Sequence, residues 1–211
     1  MPTAPIRLNE KLYISIPLFR TYLREIEDPK DKTKTITAEV EEIYAYVHSA
    51  PVSREVFEAH YMLFSRVFNR IYTDGLGEMA GPRVAALVLR DVAKEQREYA
   101  DQYTALINEI RRLTNVLLRT ENGWETIPFA SATSLLDDQD VSEVENAIVH
   151  FTVSSAMHRK NVAKTMLTGA ASLWGAEISS SDFTVIAASL KTSTTDVPSG
   201  VNQRAALSVP R

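Results

Sequence analysis

PRVAALVLRDVAKEQREYADQYTALINEIRRLTNVLLR, residues 82–119, is the stretch whose reading decides the expected fold. Val84, Leu87, Val88, Val92, Tyr99, Tyr103, Leu106, Ile107, Ile110, Leu113 and Leu117 recur at steps of three and four. That period lines one face of a helix. Opened by Pro82 and read as one helix, the segment spans roughly 55 Å. Lys94 to Glu98 is wholly polar, so the helix is solvated or broken there.

On the N-terminal side, the same period predicts three shorter helices. Phe19, Tyr22, Leu23 and Ile26 give one over 16–27, ended by Asp28-Pro29. Val40, Ile43, Tyr44 and Val47 give a second over 37–49, with Glu39, Glu41 and Glu42 near its positive end. Ser53 caps a third over 53–73, whose broad aromatic face carries Phe57, Tyr61, Phe64 and Phe68. Leu12 to Ile16 reads as a short strand or an extended arm. On the C-terminal side, Asn122-Gly123 is a turn signal and Trp124 to Ala130 a short extended segment. Asp140 and Glu143 resemble a capping box before a helix over 141–168, and a last short helix follows from Asp182 to Leu190. The expected fold is mainly α: a helical bundle with one long central helix, short extended segments and an extended C-terminal arm. Residues 1–190 form the helical domain, with an N-terminal arm of about 1–15, and 191–211 form the tail. The expected core includes Phe57, Phe64, Phe68, Leu87, Leu106, Ile110, Ile148 and Phe151.

Composition narrows the chemistry. The chain has 211 residues, enough to bury a core without staples, and no cysteine, which excludes disulfides and thiolate chemistry. A formal net charge of -4 gives no footprint for general nucleic-acid binding. No Asn-x-Ser/Thr sequon, signal-peptide core or membrane-length apolar run occurs in the sequence. The expectation is cytoplasmic synthesis and no membrane partner.

No local motif carries catalysis. Gly75 to Pro82 is glycine-rich, but it follows a predicted helix and lacks Gly-Lys-Ser/Thr, so it reads as a helix–helix connection. Asp137, Asp138, Asp140, Glu143 and Glu145 miss the EF-hand pattern and suit a helix start. His48, His60, His150 and His158 show no His-x-x-x-His spacing, so no metal is expected. Ser179, Ser180 and Ser181 precede a helix and read as capping residues. No catalytic, cofactor-binding or metal residue is assigned. Two basic pairs or clusters, Arg111 with Arg112 and Arg159 with Lys160 and Lys164, are candidate phosphate or partner contacts. Neither is interleaved with aromatic residues, as a nucleic-acid platform would be.

The tail holds Pro198, Gly200 and Pro210, with Val197, Val201, Leu207 and Val209 as its larger apolar anchors. Packing on itself cannot offset an ordering cost of about 1 to 2 kcal/mol per residue. These four residues are candidate anchors of an intersubunit arm. The expected function is a non-enzymatic structural subunit of a large homomeric assembly, of the kind found in a viral or phage virion. The alternatives are a helical adaptor or regulatory binding module, nucleic-acid-associated or not, and an enzyme whose site is assembled from scattered residues.

Overall fold

The computed structural model describes residues 11–28, 31–173 and 175–192. Its first elements are two long strands, β1 (Tyr13–Asp28) and β2 (Asp31–Ser49), paired antiparallel from end to end. They replace the helices expected over 16–27 and 37–49. The physical reason lies in residue type. Thr35, Ile36, Thr37, Val40, Ile43, Tyr44, Tyr46 and Val47 are β-branched or aromatic, which crowds a helix turn and suits a pleated surface. The register slips once near the body: Leu18 faces Ala45 and Phe19 faces Ile43, leaving Tyr44 as the extra residue of a bulge.

Helices α1 (Arg54–Ala59) and α2 (Tyr61–Thr73) follow. The Ser53 hydroxyl accepts from the Val56 amide at 3.3 Å, as the capping reading requires. His60 separates the two helices, so the single helix expected over 53–73 is two. The expected long central helix is also divided. Its first part is α3 (Gly77–Glu95), which starts five residues before Pro82 and holds that proline inside it. Gln96 is extended and ends α3; α4 (Arg97–Arg112) resumes the helix. Thr114 onward belongs to β3 (Thr114–Thr120), which turns through Asn122-Gly123 into β4 (Gly123–Pro128). The short α5 (Phe129–Ala132) leads to α6 (Asp138–Met157), capped by the Asp137 carboxylate rather than by Asp140. His158 is extended and breaks the chain before α7 (Lys160–Ser172). β5 (Glu177–Ser179) and α8 (Phe183–Thr192) complete the described elements.

The strands form one antiparallel sheet in the order β4-β3-β2-β1-β5. The fold is therefore mixed α and β, and the mainly α helical bundle is overturned. Ile14, Ile16, Leu18, Ala45, Val47 and Val116 form the inner face of the sheet, joined in one core with α2, α3, α4 and α6. α6 runs through that core with Val144, Ile148 and Phe151 buried. Its Asn146 ties it to α3 by accepting from the Ala86 amide at 2.9 Å. α8 lies on the other face, where Phe183 meets His48. Phe64, Leu106, Ile110, Ile148 and Phe151 are buried as expected, and Phe57 and Phe68 pack against the core half-buried. Leu87 is a correction. It is 47% exposed, because α3 buries the face that carries Ala85, Leu89 and Val92.

Candidate interaction surface

The sheet is five strands wide only near one end of β1 and β2. β5 covers β1 at residues 13–15, and β3 covers β2 at residues 45–49. Beyond Phe19 and Ile43, among the described residues, the two strands pair with each other alone. Ten residues of β1, 19–28, thus extend as a ribbon of roughly 30 Å. A two-stranded hairpin on its own is marginally stable in water, since neither face has a layer to pack on.

Polar contacts fix the root of this ribbon. The bulged Tyr44 sends its hydroxyl to the Asp140 carboxylate at the start of α6, in a short hydrogen bond. Burial, reinforced by that carboxylate, pushes the phenol well above its usual range, so it remains a proton donor. The Arg20 guanidinium lies over the Tyr44 ring, 4.6 Å from its centre. Glu42 accepts from the Tyr22 hydroxyl at 3.0 Å and pairs with Arg119 of β3.

The two faces of the ribbon differ. One continues the inner face of the sheet and carries Arg20, Tyr22, Arg24 and Ile26 opposite Glu42, Val40, Ala38 and Ile36. The other carries Phe19, Thr21, Leu23, Glu25 and Glu27 opposite Ile43, Glu41, Glu39, Thr37 and Thr35. Among the described side chains, this second face holds four carboxylates and no cation. Exposed apolar residues lie on both: Phe19 at 44% and Leu23 at 69% on the acidic face, Ile36 at 38% on the other. Beneath the root, a groove of about 430 Å³ opens between β1, α3 and α6, lined by Ile16, Leu18, Phe19, Pro82, Arg83 and Val144.

The sequence-derived candidates sit elsewhere. Arg111 pairs with Glu145 of α6 at 2.6 Å, and Arg112 with Glu109 one turn back at 2.7 Å. Arg159 is exposed at the N-cap of α7, and Lys164 is exposed on that helix. The Lys160 side chain and the tail residues Val197, Val201, Leu207 and Val209 lie outside the described residues. The structure does not join the Arg111 pair to the Arg159 cluster by any described contact.

One grouping that sequence spacing did not suggest is Ser15 with His48. The serine hydroxyl is 2.8 Å from Nδ1 of the histidine, across the β1–β2 pairing. By residue type, with Asp182 nearby, it resembles a nucleophilic triad. Its geometry does not suit that chemistry. Both side chains are buried, the His48 ring stacks on Tyr13 at 5.2 Å, and Ser15 sits inside a strand paired on both sides. Burial lowers the His48 pKa to about 4, against the smaller opposing pull of Asp182. Asp182 itself caps α8, accepting from the Thr184 amide at 3.0 Å.

Among the described residues, no group of three or more His, Asp or Glu side chains is placed to hold a metal ion. No helix among them is long and apolar enough to cross a membrane. The β1–β2 ribbon is not legible as a site in the sequence, because its Phe19 and Leu23 fit a helix face and its Glu39 and Glu41 fit a helix start. No protein-family model, no curated protein and no solved structure matches this chain.

Proposed function

We propose that the chain is a structural subunit of an assembly of many identical copies, a shell or sheath of virion type, and that the β1–β2 ribbon is its assembly arm. The observation that carries this reading is the ribbon itself. Some 30 Å of paired strand leaves the body without a third strand or a covering helix among the described residues and carries exposed apolar side chains on both faces. A folded monomer gains little by exposing such surface, whereas a neighbour that covers it supplies the missing layer. The root contacts of Tyr44, Arg20 and Glu42 hold the arm at a fixed angle, which a repeating lattice requires. The same reading gives the paired arginines of α4 a structural role, since each is already matched by a carboxylate of its own chain.

The test is to excise residues 20–42, joining Phe19 to Ile43 through an Asn-Gly turn, which favours a tight hairpin. Light scattering after size-exclusion chromatography is expected to find the full chain assembled and the shortened chain monomeric with its helical circular dichroism retained. A full chain that stays monomeric at millimolar concentration would sink the proposal.

A further inference from the structure

Resting on the reading of the ribbon as an assembly arm, we infer that its acidic face docks on the outer face of α3 of a second copy of this chain. Two surfaces of the chain complement each other. On the arm, Glu25, Glu27, Glu39 and Glu41 surround Leu23, with Phe19 and Ile43 toward the root. None of the four carboxylates makes an ion pair among the described residues. On the body, α3 exposes Met79, Arg83, Leu87, Arg90 and Lys94 at steps of four, four, three and four, which places them along one helix face. Lys94 is taken by Asp91 at 3.2 Å, while Arg83 and Arg90 have no ion pair among the described residues.

The two rows match in pattern and in length. Each has an exposed leucine at its centre, Leu23 on the arm and Leu87 between the two arginines. The carboxylate row runs from the level of Thr21 to Glu27, about 20 Å along a strand. The α3 row from Arg83 to Lys94 runs about 16 Å along a helix. Met79, 73% exposed, extends the apolar part of the α3 row beyond Arg83. Arg83 also lines the groove beneath the arm root, whose lining includes the carboxylates of Asp140 and Glu143, so the cationic part of the receiving surface ends at Arg83.

Within one chain the two surfaces approach each other at the root, where Phe19 and Arg83 line the same groove, but none of the four carboxylates pairs with a cation of α3 among the described residues. A second copy is the occupant that supplies the complementary row. Because the arm and α3 are different surfaces, the contact is heterologous. Each copy gives one arm and receives one, and the contact repeats until it closes a ring or continues as a lattice.

The experiment uses three purified full-length proteins: wild type, an arm variant Glu39→Lys/Glu41→Lys, and a helix variant Arg83→Glu/Arg90→Glu. All four positions are exposed, and circular dichroism melts check that each variant folds. Sedimentation velocity over a concentration series reads the assembly. Each variant alone sets like charges against each other, and its half-assembly concentration is expected to rise by about tenfold or more. An equimolar mixture restores assembly, because the lysine arm of one variant faces the glutamate helix of the other. Two variants that assemble as wild type does, or a mixture that fails to recover, overturn the docking assignment. In that case the excision of residues 20–42 still decides separately whether the arm drives assembly at all.

Discussion

Acidification from pH 7.5 to 5 is expected to remove stability from the body through two buried histidines. His48 and His150 both titrate at about 4 in the folded protein, against 6.5 for an exposed imidazole, because burial penalises the charged ring. The unfolded chain therefore binds more protons than the folded one between these values. Stability is fully present above 6.5 and falls as the pH drops toward 4. At pH 5 each histidine is still largely neutral when folded and almost fully charged when unfolded. Each then costs about 2 kcal/mol, and the pair about 4 kcal/mol. His60, whose pKa burial also lowers, acts in the same direction. Carboxylates change little above pH 5, so the window isolates the histidines. The assay is urea denaturation of the dilute full-length chain at both pH values, for wild type and for His150→Leu. The variant should show a pH-induced loss smaller by about 2 kcal/mol, whatever its absolute stability. Equal wild-type stability at pH 7.5 and 5, or an unchanged loss in the variant, would refute the reasoning.

Two further predictions concern packing. Phe64→Ala empties a fully buried site in α2 whose ring also meets Phe57 at a tilt, and chemical denaturation should register a loss of roughly 2 to 5 kcal/mol; an unchanged midpoint would mean this face is not core. Gly81→Ala places a methyl group 2.9 Å from His150 Cδ2 and 3.0 Å from Ile71 Cγ2, both inside the core. The overpacking should cost about 1 to 3 kcal/mol, and a neutral result in a thermal melt would argue against so close an approach of α3 to α6.

The body was legible in the sequence where one face alone is buried. Phe64, Leu106 and Ile110 recur at helical steps because α2 and α4 each show one side to the core, whereas Ile148 and Phe151 lie on α6, which is buried all round from Asn146 to Ser154. Breaks at His60 and His158 are harder to read, since the apolar pattern carries across them without a proline or glycine, whereas the wholly polar Lys94 to Glu98 signals the break at Gln96. The two long strands were misread for a definite reason. Phe19, Tyr22, Leu23 and Ile26 have helical spacing, yet Phe19 and Leu23 lie on one face of β1 and Tyr22 and Ile26 on the other. Two apolar residues on each side of a strand produce the same spacing as one stripe on a helix. In β2 the bulge at Tyr44 shifts the alternation by one residue, so Val40, Tyr44 and Val47 also fall at helical steps. The candidate surface was hidden by the same coincidence. Its apolar residues were assigned to helix faces, and its carboxylates Glu39 and Glu41 to a helix start.

In the assembly proposed above, the bulge at Tyr44 would act as a fulcrum. A rigid ribbon converts a small rotation at its base into a large displacement at its end. For a lever of about 30 Å, a rotation of about 10° moves the tip by roughly 5 Å, close to the distance between neighbouring strands. In an assembly built through this arm, curvature is therefore set by the residues that hold the pivot, Tyr44, Asp140, Arg20 and Arg119, rather than by those that touch the neighbour. Substitutions there would alter the diameter of the particle while leaving the strength of each contact nearly the same.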